Sequence, residues 1–476
     1  MYKIKKEYIA VACLLSAFTA CKVPTLVSKT ENKAVPAGYL TASQDTINSG
    51  KMNWRTYFTD PYLSSLIDTA IKNNQELNIT LQEIEIARNE VKARKGEYLP
   101  FVGVRAGAGL DKPGRYTNMG ALEANTEIRP GEERPEPLPD YLLAIQANWE
   151  VDIWKKLRTA KKAALNRYLS SIEGRNFVIT NLVSEVANSY YELLALDNQL
   201  LIVNQNIELQ TNALKVVKLQ MEATRVTMLA VRKFEAEVLN TQSLQYGIKQ
   251  RIRETENRIN FLLARYPQPI QRDDQTFNTI VPQTIMAGIP SQLLINRPDV
   301  RQAELDLAAA KLDINVAKAN FYPRLDINAA VGYNAFNPKF LFNPSSILYS
   351  LAGDLMAPVV NRNAIKANYA TANAKQIQAV YTYERTVLNA YIEVVNQLSN
   401  IDNMGKAYNT KSQEVQKLTE SINISNNLFR SARADYMEVL LTQRDALESK
   451  FDLIETKMKQ MNSVIGIYHA LGGGWN

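Results

Sequence analysis

The stretch LVSEVANSYYELLALDNQLLIVNQNIELQTNALKVVKLQM (182–221) carries a heptad pattern with alternating spacings of four and three residues. Ten of its twelve pattern positions are apolar. They are Leu182, Val186, Ser189, Leu193, Leu196, Leu200, Val203, Ile207, Gln210, Leu214, Val217 and Met221. A sustained period of about 3.5 residues keeps one seam against partner helices and imposes a left-handed supercoil. The helix predicted from Lys155 to Gln220 would be about 100 Å long, much longer than a compact domain needs.

The same pattern returns 208 residues later, where nine of the twelve positions are apolar. The positions are Ala390, Val394, Gln397, Ile401, Met404, Tyr408, Lys411, Val415, Leu418, Ile422, Ser425 and Phe429. Nearer the N-terminus, YLP (98–100) matches FYP (321–323) at an offset of 223. The first copy therefore holds 15 additional residues, which we place in a Gly-, Pro- and charge-rich loop at 111–140. We predict an internal duplication, with one copy at 61–265, a connector at 266–290 and a second copy at 291–476.

Each copy is predicted to run helix, strand, loop, strand, long helix, short break and returning helix. In the first copy, the helix before the strands is predicted at 63–97 and the returning helix at 232–263. Four segments alternate like strands, namely 99–109, 142–151, 324–333 and 346–356.

Their length of ten or eleven residues suits a tilted transmembrane β-strand. Four strands cannot close a barrel, and lipid does not tolerate an open sheet edge. If these strands span a membrane, several chains must share one barrel, and three chains would supply twelve strands. The alternative is four strands of soluble hairpins.

The N-terminus has the composition of a secretory leader. Three lysines lie within the first six residues, an apolar run covers 9–18, and Thr19 and Ala20 precede Cys21. The arrangement resembles a bacterial lipoprotein signal, with residues 1–20 removed, Cys21 acylated and 21–60 forming an N-terminal extension. An ordinary signal peptide with an incidental cysteine is the alternative. Since Cys13 lies in the leader, the acylated protein would keep no free thiol and no disulfide.

Composition disfavours several other functions. The chain has 476 residues, 46% hydrophobic and 22% charged, and no apolar run reaches 18 residues, so no transmembrane helix is predicted. The net charge of +7 comes from basic residues scattered among acidic ones, which disfavours nucleic-acid binding. The single histidine, His469, has no Ser or Asp cluster beside it, and Gly472 to Gly474 follow a helix instead of opening one. We predict no enzyme activity, no cofactor and no metal site.

Three segments resemble the outer membrane efflux protein family, whose best-known architecture is the TolC-like channel. NWEVDIWKKLRTAKKAA (148–164) is similar to the family's strand-to-helix junction, and ALGGGW (470–475) to its C-terminal ending. LLINRPDVRQAELDLAAAKLDINVAKANFYPRLDI (293–327) is similar to its segment built on RPD, AE and FP. With the leader, the resemblance is to the lipoprotein branch that serves resistance-nodulation-division efflux systems.

The resemblance implies a mixed α and β fold and a homotrimer. Its twelve-stranded barrel would lie in the bacterial outer membrane, and a helical coiled-coil tunnel would extend into the periplasm. The connector at 266–290 would join a belt around that tunnel. A periplasmic adaptor and an inner-membrane resistance-nodulation-division pump would dock at the lower end, and small molecules would leave passively. An outer component of type I protein secretion has the same architecture and stays open. A structural coiled-coil lipoprotein is the alternative of another class.

The resemblance also implies where the entrance residues lie. Tips of the two helical hairpins fall at about 223–231 and 431–439, and the family's tips carry carboxylates and an arginine that narrow the entrance and contact the adaptor. The corresponding residues are Arg225, Thr227, Arg433, Asp435 and Glu438. A ring of three Glu438 carboxylates would favour cations, whereas Asp435 and Glu438 could equally serve to stabilise a helix N-terminus. Ala230 stands where the family often has Asp, so we expect fewer polar links between tips.

Overall fold

A computed structural model describes residues 23–39, 46–273, 277, 280, 286–431 and 433–475. The chain divides into two compact units. The first, called here the sheet unit, comprises the described parts of 1–30, 85–169 and 305–380. The second, the helical unit, comprises the described parts of 31–84, 170–304 and 381–476.

The elements follow in the order that the duplication predicts, with helix, strands and long helical hairpin in each copy. In chain order they are α1 (Trp54–Tyr57), α2 (Pro61–Asn73), α3 (Gln75–Glu97), β1 (Phe101–Asp111), α4 (Asn118–Glu123), β2 (Glu127–Arg129), β3 (Glu132–Glu133), β4 (Leu138–Val151), α5 (Lys156–Glu222), α6 (Met228–Leu262), α7 (Leu293–Asn296), α8 (Pro298–Ala319), β5 (Arg324–Ala335), β6 (Ile347–Met356), α9 (Asn363–Arg430) and α10 (Tyr436–Ala470).

The sheet unit is organised around a four-stranded antiparallel sheet in the order β1-β4-β5-β6. Its register places Val104 beside Ile145, Ile145 beside Val331, and Val331 beside Tyr349. Successive side chains of a strand point to opposite faces, so each row of paired residues belongs to one face. The central pair, β4 and β5, therefore joins the strands of the first copy to those of the second.

The helical unit confirms the heptad seam. None of the twelve pattern positions on α5 and none of the twelve on α9 is exposed. In the wider core, Tyr190 and Leu193 of α5 pack with Ile67 of α2, Ile259 of α6 and Tyr468 of α10. Helices from both copies thus share one hydrophobic core.

Some predicted boundaries were wrong. The helix predicted at 63–97 is interrupted at Asn74, whose Oδ1 accepts a hydrogen bond from the Leu77 amide and whose Nδ2 donates to the Leu262 carbonyl. The returning helix begins at Met228, four residues before the prediction. The loop predicted at 111–140 contains α4 and a ribbon of β2 and β3, and its end already belongs to β4.

The described N-terminal segment accompanies α9. Within the sheet unit, Asn373 Nδ2 donates to the Val27 carbonyl at 3.0 Å. Within the helical unit, the ring of Tyr39 stacks on that of Tyr391. Cys21, the predicted lipid attachment residue, lies outside the described residues. No helix in the described parts of the chain is both long and apolar enough to cross a membrane.

Candidate functional site

One face of the sheet is apolar along its whole length. Its members are aliphatic or aromatic side chains, a proline and a glycine. They are Val102, Val104, Ala106, Ala108 and Leu110 of β1, Pro139, Tyr141, Leu143, Ile145, Ala147, Trp149 and Val151 of β4, Leu325, Ile327, Ala329, Val331, Tyr333 and Ala335 of β5, and Ile347, Tyr349, Leu351, Gly353 and Leu355 of β6. Several are large and exposed, such as Tyr349 at 84% and Leu351 at 78%. A contiguous apolar surface of this kind indicates contact with lipid or with another protein.

The opposite face carries the polar residues of the same strands. Among them are Arg105, Asp140, Gln146, Asn148, Glu150, Arg324, Asp326, Asn328, Asn334, Ser350 and Asp354. Strands whose residues alternate between an apolar face and a polar face are typical of a barrel wall between lipid and a water-filled lumen.

Three carboxylates on this polar face form one row, which the sequence alone did not predict. Glu150 pairs with Asp326, and Asp326 pairs with Asp354. Like charges directly opposite one another are destabilising in a sheet. Two cationic side chains next to the row offset part of this repulsion. Lys156 Nζ is 2.5 Å from Glu150, and Arg324 Nε donates to Asp326 at 2.7 Å. Only the register between strands brings these residues together, because they come from three separate segments of the chain.

The two outer strands have no partner on one side within the described chain. β1 pairs only with β4, and β6 pairs only with β5, among the described strands. β1 has 11 residues and β6 has 10. Two open edges of nearly equal length are suited to pairing with each other between copies of the chain.

The first tip is the turn between α5 and α6. Thr224 has a φ of 57°, and the amide of Arg225 donates to the carbonyl of Gln220. Thr227 is the N-cap residue of α6, although its side chain makes no capping hydrogen bond. Arg225 and Thr227 are both exposed. Ala230 is fully buried, in the apolar cluster that packs the tips.

The second tip is the turn between α9 and α10. The amide of Arg433 donates to the carbonyl of Leu428. Asp435 is the N-cap residue of α10 without a side-chain capping bond, and Glu438 lies in the first turn. All three side chains are exposed. The Asp435 carboxylate lies at the surface without a capping hydrogen bond. The negative charges of Asp435 and Glu438 both lie where they favour the N-terminus of α10.

One apolar cluster brings the two tips together. Val231 and Phe234 of α6 pack there with Val439 and Leu440 of α10. The five predicted tip residues therefore lie at the same end of the helical unit, on turns that flank this cluster.

A groove of about 430 Å³ lies beside the tip cluster. It is lined by segments of α5 and α9 together with Phe234, Val439 and Gln443. Gln443 is 1% exposed, and neither its amide nitrogen nor its carbonyl oxygen has a hydrogen-bond partner among the residues that the structure describes. Its walls mix apolar side chains with polar ones such as Glu208 and Arg430, and a mixed surface of this kind is typical of the contact area between two proteins. The sequence alone does not predict this groove, because side chains of four helices form it.

No group of three or more His, Cys, Asp or Glu side chains within the described ranges could hold a metal ion. His469 is partly buried at the end of α10, where its Nε2 lies 2.6 Å from Asn181 Oδ1. Its ring also lies near that of Phe177. The histidine is thus part of the helical packing.

Comparison with known proteins identifies the class. The profile of the outer membrane efflux protein family matches residues 66–265 and 289–473. The pyoverdine export outer membrane protein OpmQ of Pseudomonas aeruginosa is 26% identical over 438 residues, which cover 92% of this chain and 90% of OpmQ. The cation efflux system protein CusC of Escherichia coli is 24% identical over 473 residues, covering 97% of this chain and 98% of CusC.

Solved structures have the same fold. A crystal structure of CusC superposes with a TM-score of 0.83 at 22% identity, covering 94% of this chain and 99% of that one. The open state of the MtrE channel of Neisseria gonorrhoeae gives a TM-score of 0.83 at 21% identity, with 96% and 98% covered.

The chain therefore belongs to the outer membrane efflux protein family, and it is an efflux protein of the outer membrane with the TolC-like fold. The family profile matches both copies, which confirms the internal duplication. A structural coiled-coil stalk does not account for this match or for the two-faced sheet.

Proposed function

We propose that three copies of this chain form one outer-membrane channel through which small solutes leave the cell passively. Each β1 edge would pair with the β6 edge of a neighbouring copy, giving a closed barrel of twelve strands. The apolar face would contact lipid and the polar face would line the lumen. The two-faced sheet with two open edges carries this proposal, because lipid does not tolerate unpaired backbone groups.

The helical tips would form the periplasmic entrance of the channel. Three copies of Glu438 would surround the axis there, with Asp435, Arg433, Arg225 and Thr227 beside them. A periplasmic adaptor would dock in the groove lined by Phe234, Val439 and Gln443, and an inner-membrane pump of the resistance-nodulation-division class would supply the energy. The exposed tip residues support this assignment, as does the carboxamide of Gln443, which lacks a hydrogen-bond partner in the described ranges.

The proposed substrates are small molecules or ions. The names of similar proteins refer to pyoverdine, to toluene and to cations. Acylation of Cys21 would add a lipid anchor to the outer membrane.

Replacing Glu438 with Gln tests the entrance. The full-length protein would be reconstituted in planar bilayers, and the reversal potential would be measured across a salt gradient. We expect E438Q to lower cation selectivity, because three carboxylates would leave the narrowest part of the pathway. Glu448, an exposed residue further along α10, provides the control variant E448Q.

Unchanged selectivity in E438Q would remove Glu438 from the entrance without affecting the channel proposal. An equal loss in E448Q would mean that overall charge decides selectivity. Absence of any solute passage through the reconstituted protein would contradict the channel itself.

A further inference from the structure

Charge is unevenly distributed along α5. Residues 153–172, which follow β4 and begin the helix, contain six basic residues and no acidic one. The rest of the helix, 173–222, contains three basic and six acidic residues. The second copy has a similar segment, since 355–383 contains three basic residues and no acidic one. A basic segment therefore follows the sheet in both copies.

The basic segment of the first copy adjoins the apolar face of the sheet. Trp149 belongs to that face, and its Nε1 donates to the carbonyl of Tyr98 at 3.1 Å. Two cations lie over the Tyr98 ring: the Arg158 guanidinium is 5.8 Å and the Lys161 ammonium 5.7 Å from its centroid. Through Tyr98, Arg158 and Lys161 therefore lie close to Trp149, at one end of the apolar face.

A second aromatic group lies at the same end of the sheet. Trp154 follows β4, is 49% exposed and stacks on Tyr322 at 4.9 Å between ring centroids. Its Nε1 donates to the carbonyl of Pro323 at 2.6 Å, so the indole is held in place while half of it stays exposed. In the second copy, the Arg362 guanidinium lies 4.8 Å from the centroid of the Phe321 ring. Cations next to aromatic rings thus recur where the strands meet the helices.

Carboxylates balance only part of this charge. Lys156 is paired with Glu150, Arg158 lies 4.0 Å from Asp152, and Arg167 pairs with Asp313. Lys155 and Lys162 are exposed. The surface beside this end of the apolar face therefore keeps an excess of positive charge.

We propose that Trp154, Tyr98, Arg158 and Lys161, at this end of the apolar face, form a docking surface for anionic phospholipid headgroups. The inference rests on the proposed function, since it requires the apolar face to contact lipid. Aromatic rings of this kind favour the boundary between acyl chains and headgroups, and basic side chains beside a membrane attract anionic lipids. The apolar face would hold the acyl chains, while Arg158 and Lys161 would bind the phosphate.

Lipid selectivity near Trp149 and Trp154 tests the proposal. The full-length protein would be reconstituted in phosphatidylcholine vesicles that contain either brominated phosphatidylglycerol or brominated phosphatidylcholine, and quenching of tryptophan fluorescence would be compared. We expect phosphatidylglycerol to be preferred, and K161Q to lower that preference about fivefold.

Lys249 provides a matched control, because its ammonium also lies 5.7 Å from the centroid of a tyrosine ring, that of Tyr246 in the helical unit. K249Q is expected to keep the lipid preference. Equal quenching by the two brominated lipids in the unmodified protein, or the same loss in K161Q and K249Q, would overturn the docking surface. Failure of the protein to enter vesicles, with no quenching by either lipid, would instead contradict the proposed membrane channel.

Discussion

At the scale of single residues, a buried arginine fixes the end of α10. Arg297 is 3% exposed and donates to both carboxylate oxygens of Asp299, to Glu393 and to the carbonyl of Ala470. His469 is the residue immediately before Ala470 in the chain. Burial lowers the pKa of His469, and the nearby positive charge of Arg297 lowers it further, while Glu393 and Asp299 act in the opposite direction. The folded state therefore favours the neutral form of this histidine more than the unfolded chain does.

Stability should accordingly depend on pH. Because the pKa of His469 is lower in the folded state than its ordinary value of 6.5, the unfolded chain binds more protons once the pH falls below about 6.5. We expect the melting temperature to fall as the pH is lowered through this range. H469Q, which keeps a donor near Asn181, should show a weaker fall over the same interval. If the melting temperature of H469Q depends on pH in the same way as that of the unmodified protein, His469 is not the titrating group.

At the scale of elements, the heptad seam of α5 contains one unsatisfied polar position. Gln210 is fully buried, and within the described part of the chain neither polar atom of its carboxamide has a hydrogen-bond partner. A buried amide without partners costs free energy that an apolar side chain of similar size does not. Its neighbours on the seam are Val203, Ile207, Leu214 and Val217.

Replacing Gln210 with Leu should therefore stabilise the protein by about 1 kcal/mol, measured as the free energy of unfolding in denaturant. Q205L changes an exposed glutamine on the same helix and should have little effect. If Q210L unfolds at a lower denaturant concentration than the unmodified protein, the carboxamide of Gln210 has a stabilising partner and our assignment of the seam is wrong there.

Periodicity predicted the long elements well, because seam positions repeat along α5 and α9 whatever surrounds them. Ends of elements depend on single contacts and were predicted less well. The break at Asn74 arises from a side chain that bonds both to the next helix and to Leu262, which is distant in sequence. The ribbon of β2 and β3 was missed because its strands have only three and two residues.

At the scale of the whole molecule, the duplication and the strand lengths predicted a sheet whose edges need partners. The tip turns were also placed from the sequence, since they lie where the heptads end. The carboxylate row of Glu150, Asp326 and Asp354 and the groove beside Gln443 were not predictable, because each depends on register or packing between distant segments. The roles of Glu438 and of the other tip residues stay predictions.

The native mass of the detergent-extracted full-length protein tests the central claim most directly. We predict a single particle with three times the mass of one acylated chain, because only a shared barrel satisfies the edges of β1 and β6 in lipid. A monodisperse monomer would leave both edges unpaired and would contradict the shared barrel.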